Sequence, residues 1–289
     1  MPWAEEDELK VTSLLSELQL EGKKVGEVLQ RVSTDGKTGV DNVLMNLIQM
    51  ITVGTCEKAR HEMKSLMCRM LRENATQGCN ADGLIKECLY EHCHSCVDKL
   101  VELFTMASTG AVIPNNTADD YRGILSSQIM RQADNLSWLL DIMIDRQVCD
   151  EFLQLWAFQT KLASLHPQVP LVLGRYEISR IMAGLCVALG KGQVLAPKEV
   201  RYELLHNWLQ PLIDDFAWMR RACKGLDMAT IQEGICQTIS TLPLDQQQTM
   251  IIIWFERFVQ NGDDCPKLQR AFELCWRRIF FGSISSNTC

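Results

Sequence analysis

Apolar residues recur along nearly the whole chain at spacings of three, four and seven residues, which places them on one face of an α-helix. The pattern is clearest in three segments, with apolar side chains at Leu125, Ile129, Leu136, Leu140 and Met143, at Ile178, Ile181, Met182, Leu185 and Leu189, and at Leu268, Phe272, Cys275, Trp276 and Ile279. No segment alternates apolar and polar residues as a half-buried β-strand does. The sequence therefore predicts an all-α protein, an irregular stack of antiparallel helices with no β-sheet.

The helical pattern breaks at residues that end or begin helices. Gly190, Lys191 and Gly192 predict the end of one helix, and Pro197 predicts the start of the next. Pro211 predicts the start or a kink of a further helix, because its ring removes a backbone donor and crowds the preceding turn. No fixed sequence period is present, which argues against a regular array of tetratricopeptide or armadillo repeats.

The stretch at residues 111–117, in which Pro114 is followed by two asparagines and a threonine, is the best candidate for a boundary within the chain. We therefore expect an N-terminal helical part at residues 1–115 and a C-terminal helical part at residues 116–281. The last residues, 282–289, are polar and predict a frayed tail.

Composition narrows the class of protein. With 47% hydrophobic residues the chain can bury a substantial core, and its net charge of −7 argues against nucleic-acid binding. No segment reaches the roughly 18 apolar residues of a membrane span, so we expect no membrane association.

The chain contains 13 cysteines, but its first eight residues are acidic and do not resemble a signal peptide. We expect an intracellular protein, cytoplasmic or nuclear, with reduced thiols.

One segment, Cys88–Cys96, holds three cysteines and two histidines in nine positions. Zinc prefers thiolate and imidazole ligands, and Cys93 and Cys96 have the spacing of a ligand pair. No second pair follows, however, and the same cysteines fall on an apolar helical stripe. We therefore expect no metal, and keep as the alternative a helical metal- or small-ligand-binding protein that uses Cys88, His92, Cys93 and Cys96.

Catalytic patterns are weak. Three pairs of adjacent carboxylates occur at Asp119–Asp120, Asp214–Asp215 and Asp263–Asp264. Neighbouring residues on a helix point about 100° apart, so such pairs diverge instead of converging on a substrate. No phosphate-binding loop or nucleophile motif is present. We predict a protein that is not an enzyme, with no catalytic residues and no cofactor.

Aromatic, acidic and basic clusters divide the C-terminal region, at Asp214–Arg221, Trp254–Phe258, Gly262–Pro266 and Trp276–Arg278. These clusters resemble the helical region that follows the BTB domain in a family of plant BTB/POZ domain-containing proteins. The resemblance covers nearly the whole chain, and Pro2–Trp3 resembles the start of that region. The BTB domain of the family has no counterpart in the sequence.

In BTB proteins the BTB domain docks on a cullin, and another region recruits the substrate for ubiquitination. The resemblance therefore implies a non-catalytic protein-interaction region, the substrate-side part of a BTB-type adaptor for a cullin-RING E3 ubiquitin ligase. Its partners would be proteins, ubiquitination substrates among them, and cullin only where a BTB domain lies upstream. The chain would then be a truncated product, a fragment or a natural short form, and in each case we expect it to lack cullin binding.

Five residues combine the chemistry of an interaction surface, since arginine pairs with carboxylates bidentately and stacks on aromatic rings. The candidate partner-binding residues are Trp218, Arg220, Arg221, Arg277 and Arg278. The alternative interpretation is that these arginines cap helix ends and that the tryptophans are core. We expect Trp254 and Trp276 in the core, because each lies in a strongly apolar helical segment.

Overall fold

The computed structural model describes residues 37–74, 82–109, 118–170, 173–223 and 225–282, together with Lys10, Ser13 and Leu14. The helices of residues 37–282 are α1 (Lys37–Val53), α2 (Glu57–Asn74), α3 (Asp82–Ser108), α4 (Ala118–Asp145), α5 (Asp150–Ala157), α6 (Thr160–Leu165), α7 (Tyr176–Gly190), α8 (Lys198–Ala222), α9 (Met228–Ser240), α10 (Leu244–Asn261) and α11 (Gln269–Gly282). Short 3-10 helices lie at His166–Gln168 and Gly262–Asp264. The described part of the chain contains no strand, and the prediction of an all-α fold is confirmed.

The chain divides into two compact units, residues 1–93 and residues 94–289, and the division falls inside α3. The boundary predicted near residue 115, the start at Pro2–Trp3 and the tail beyond residue 282 lie outside the described residues. The predicted division into parts therefore stays a prediction.

In the first unit, α1 packs against α2. Ile48, Ile51 and Met63 are buried there, and so is the charged side chain of Arg60. The Nε atom of Arg60 donates to the Ile51 carbonyl at 2.9 Å, and Nη1 pairs with Glu57 at 2.5 Å. Carbonyls in the last turn of a helix have no partner within it, so Arg60 satisfies one end of α1 while packing in the core.

In the second unit, α7 packs against α4, α8 and α9. The backbones of α7 and α9 meet at two glycines. A Cβ atom added at Gly190 would lie 2.7 Å from Gly234 Cα, and one at Gly234 would lie 2.7 Å from the Cys186 carbonyl oxygen. Any larger side chain would push these two helices apart.

The helix boundaries of the second unit agree with the sequence at two points and differ at one. The predicted end at Gly190 and the predicted start after Pro197 are confirmed by α7 and α8. Pro211 does not start a helix, because α8 continues through it from Lys198 to Ala222, and the alternative of a kink at Pro211 stays a prediction. The proline ring is buried, so it serves as an apolar side chain within the helix.

The two tryptophans of the C-terminal helices differ in burial. Trp254 is 3% exposed and its Nε1 atom donates to the Pro266 carbonyl at 2.9 Å, which confirms its predicted place in the core. Trp276 is 51% exposed, so the same prediction for Trp276 was wrong. The buried stripe of α11 runs through Ala271 and Cys275, and Trp276 lies about 100° around the helix from Cys275.

No helix in the described ranges is long and apolar enough to cross a membrane.

Candidate functional site

Three of the predicted interaction residues lie near the end of α8. The ring of Trp218 packs against that of Tyr176, the first residue of α7, with ring centroids 4.0 Å apart. Trp218 is half-buried. It therefore links α8 to α7 and presents only part of its ring to solvent.

The two arginines that follow Trp218 bind the turn between α10 and α11. Arg220 donates from Nη1 to the Asp263 carbonyl and from Nη2 to Asp264 Oδ1, both at 2.8 Å. Arg221 Nη1 lies 3.7 Å from the same Asp264 oxygen. All three charged side chains are exposed, so this ion-pair cluster is accessible and contributes little to stability.

The other two predicted residues lie on α11 and are also exposed. Arg278 Nη1 donates to the Ser240 carbonyl at the end of α9, at 3.0 Å. A cation is favourable there because the helix dipole is negative at its C-terminus. Arg277 forms no ion pair within the described residues, and it adjoins Trp276, whose ring centroid lies 5.8 Å from that of Phe272.

The structure also contains a buried polar cluster, centred on Asp215 of α8, that no motif in the sequence predicts. Asp215 is fully buried, and its Oδ1 atom accepts from Arg175 Nε at 2.9 Å and Nη2 at 2.7 Å. Its Oδ2 atom accepts from Ser179 Oγ at 2.9 Å and lies 3.1 Å from His166 Nε2. Arg175 Nη1 donates to the Val169 carbonyl at 3.1 Å. The cluster thereby fastens the segment before α7 to α8.

The hydrogen-bond partners of Asp215 stabilise its ionised form. Burial alone would raise its pKa, but the hydrogen bonds from His166 and Arg175 and the positive charge of Arg175 outweigh burial, and the pKa of Asp215 is lowered. The neighbouring Asp214 has a raised pKa, chiefly because of burial, although Arg257 opposes that shift. The two adjacent carboxylates therefore have different surroundings and different partners, as expected for neighbours on a helix.

Ser179, His166 and Asp215 are the residue types of a hydrolase triad, but their geometry is not that of a triad. A triad needs the carboxylate on one imidazole nitrogen and the serine on the other. Here the Nε2 atom of His166 approaches both Ser179 Oγ and Asp215 Oδ2, at 3.1 Å each, while the buried Nδ1 atom has no hydrogen-bond partner among the described residues. Because all three side chains are buried, we interpret the cluster as structural.

The cysteines proposed as alternative metal ligands lie in α3. Cys88, Cys93 and Cys96 are buried, and His92 is half-buried. Burial, followed by the charge of Glu91, raises the pKa of Cys88 to about 11. Zinc binds the thiolate, so this shift opposes coordination. Within the described ranges, no three histidine, cysteine or carboxylate side chains form a group that could hold a metal.

Comparison with known proteins places the chain in a family. Residues 37–282 match the family model described as "BTB/POZ Ankyrin-like repeat". The chain belongs to this BTB/POZ family. The relatives it matches are Arabidopsis thaliana proteins, which confirms the predicted resemblance to plant BTB/POZ proteins.

Two BTB/POZ relatives illustrate the extent of the match. The BTB/POZ domain-containing protein At5g60050 is 41% identical over 290 residues, which cover 98% of this chain and 56% of the relative. The BTB/POZ domain-containing protein At3g50780 is 40% identical over 281 residues, or 97% of this chain and 52% of the relative. The chain thus spans about half the length of the BTB/POZ relatives it matches. No solved structure gives a significant match.

Proposed function

We propose that this chain is a non-catalytic protein-interaction region, the substrate-side part of a BTB-type adaptor in a cullin-RING ubiquitin ligase pathway. The observation that carries the proposal is the match of 97–98% of the chain to two BTB/POZ domain-containing proteins. The proteins bound by this region include ubiquitination substrates. The chain does not itself bind a cullin, because that task belongs to the BTB domain.

The surface chemistry supports an interaction role. The arginines among the candidate anchors are all exposed, and arginine and tryptophan are the residues that most often dominate binding energy at protein interfaces. Arg220 and Arg221 share one carboxylate, Asp264, which leaves their remaining donors available to an acidic partner. Trp218, Arg220, Arg221, Arg277 and Arg278 are therefore the proposed anchors.

The buried polar cluster supports the non-catalytic part of the proposal. His166, Ser179 and Asp215 are each at most 1% exposed, so a substrate cannot reach them without partial unfolding. Their hydrogen bonds are used within the protein, to fasten α7 and the segment before it to α8.

Affinity capture with variants of the whole 289-residue chain tests the interaction role. Purified chain is used as bait in plant extract, and captured proteins are quantified by mass spectrometry. Arg220→Ala combined with Arg221→Ala should reduce capture of a specific set of proteins while circular dichroism stays unchanged. Lys198→Ala is the matched control, because it removes an exposed cation whose contact with Glu199 is long, at 3.8 Å. Equal capture by the double variant and the control would contradict the assignment of the surface.

A further inference from the structure

The C-terminal helix pair carries two rows of exposed apolar side chains. On α10 the row consists of Ile252, Phe255 and Val259, which are 52–68% exposed and follow one side of the helix. On α11 the row consists of Phe272, at 38% exposed, and Trp276, one turn later. We call these the α10 row and the α11 row.

The ion pairs of α10 show which way its row faces. Arg257 Nε lies 3.5 Å from Asp214 Oδ1, so this side of α10 is turned toward α8. At about 100° per residue, the α10 row lies on the opposite side of the helix from Arg257. The α10 row is therefore directed away from α8.

The contacts of α11 orient its row in the same manner. Arg270 Nη1 pairs with Glu233 of α9 at 2.6 Å, and Arg278 Nη1 reaches the Ser240 carbonyl of α9 at 3.0 Å. The α11 row lies on the other side of the helix from both arginines. Since α10 and α11 pack against each other, both rows belong to the solvent-facing side of one helix pair.

Charged residues of both signs stand beside the α11 row. Glu273 and Arg277 are exposed and are one helical turn apart. Neither forms an ion pair within the described residues. An apolar strip with one acidic and one basic group along the same helix is self-complementary, as a twofold-symmetric interface must be.

We propose that this surface joins two copies of the chain, with α11 of one copy antiparallel to α11 of the second. A twofold axis at the level of Cys275, midway between residues 273 and 277, sets Glu273 of each copy opposite Arg277 of the other. Trp276 then lies close to the axis and packs on the α11 row of the second copy. The apolar rows supply the affinity, and the two charge pairs fix the register.

This inference goes beyond the proposed function and assigns Arg277, one of the proposed anchors, to the contact between two copies. The two proposals are tested by separate measurements, because partner capture is tested at Arg220 and Arg221. Sedimentation equilibrium of the 289-residue chain should show a concentration-dependent dimer. Trp276→Ala should raise the dissociation constant of the dimer by about 30-fold or more, as expected for a central aromatic anchor. Leu195→Ala is the matched control, because Leu195 is 83% exposed and lies outside both rows.

Charge reversal distinguishes a second copy from any other occupant of the surface. Glu273→Arg alone and Arg277→Glu alone should each weaken the homodimer by about tenfold or more, because like charges then face each other twice. An equimolar mixture of the two variants should form a heterodimer, since every pair is again opposite in sign. The variant that carries both Glu273→Arg and Arg277→Glu should dimerise as the wild type does.

Three outcomes would overturn the inference. These are a chain that stays monomeric at every accessible concentration, single reversals that dimerise as tightly as wild type, and a mixture that does not associate. Circular dichroism on each variant confirms that the helices are retained, so that a loss of dimer reports on the surface.

Discussion

Arg175 donates two hydrogen bonds to a single carboxylate oxygen of the fully buried Asp215, from Nε at 2.9 Å and from Nη2 at 2.7 Å. These residues are 40 positions apart, and their pairing fastens the segment before α7 to the middle of α8. Buried charges are retained only when they are paired and hydrogen-bonded. The stability of the second unit therefore depends on this contact.

Removing the carboxylate should destabilise the protein strongly. Asp215→Ala leaves the largely buried Arg175 without its counter-ion, and breaking a buried pair in this way costs about 3–5 kcal/mol. Urea denaturation measures the change in the free energy of unfolding. Asp214→Ala is the matched control, since Asp214 is half-buried and its contact with Arg257 is longer, at 3.5 Å. Equal losses for the two variants would contradict a special role for Asp215.

The same pair makes stability depend on acid pH. The folded-state pKa of Asp215 is lower than its unfolded value of about 3.9, so its contribution is complete above roughly pH 4 and is lost as pH falls through the folded pKa. The difference in free energy of unfolding between wild type and Asp215→Asn should shrink as pH falls below about 4. A difference that stays constant down to about pH 2 would show that Asp215 keeps its usual pKa when folded.

Because α7 and α9 pack closely at Gly234, a side chain at this position should destabilise the protein. Gly234→Ala places a Cβ atom 2.7 Å from the Cys186 carbonyl oxygen, so the helices must separate and the protein should lose about 1–3 kcal/mol of stability. Gly123→Ala in α4 is the matched control, because its added Cβ meets nothing within 4 Å. That substitution should be neutral or stabilising by up to about 1 kcal/mol, since alanine favours helix. A thermal melt that ranks the two variants the other way would refute the close packing.

Trp254 and Trp276 should differ in their effect on folding. Trp254→Ala empties a buried site and removes the hydrogen bond to Pro266, and should cost about 3–5 kcal/mol. Trp276→Ala, at a site that is half exposed, should cost about 1 kcal/mol or less. The measurement is denaturation at low protein concentration, where self-association does not contribute. A larger loss for Trp276 than for Trp254 would place Trp276 in the core after all.

The buried cysteines of α3 should hold no zinc. Metal ligands must lose their proton, and burial raises the pKa of the Cys88 thiol to about 11. Elemental analysis of protein purified without chelator should find far less than one zinc per chain. A stoichiometric zinc that disappears when Cys93 and Cys96 are replaced by serine would establish the metal-binding alternative instead.

The helices were predictable because their signals are local. The spacing of Ile178, Ile181, Met182 and Leu185 identified the buried face of α7, and all four side chains are buried. The family resemblance was also readable from the sequence, because it rests on local clusters of aromatic and charged residues.

What could not be predicted depends on contacts distant in sequence. Apolar residues cover more than half of the circumference of α11, so the pattern did not decide whether Ala271 and Cys275 or Phe272 and Trp276 would face the core. The side chains that contact Asp215 come from separate elements, and no sequence motif predicts that they meet. One signal was present: Asp215 lies in register with the buried Leu212 and Met219 on α8, which marks it as a buried carboxylate.

Direct binding of a purified cullin to the purified 289-residue chain tests the central claim. Biolayer interferometry with immobilised cullin compares this chain with a version that carries a BTB domain ahead of it. We expect binding by the BTB-containing version and none by the 289-residue chain, which in the described ranges contains no strand from which a BTB fold could be built. Saturable cullin binding by the 289-residue chain alone would contradict the proposed division between cullin docking and substrate recruitment.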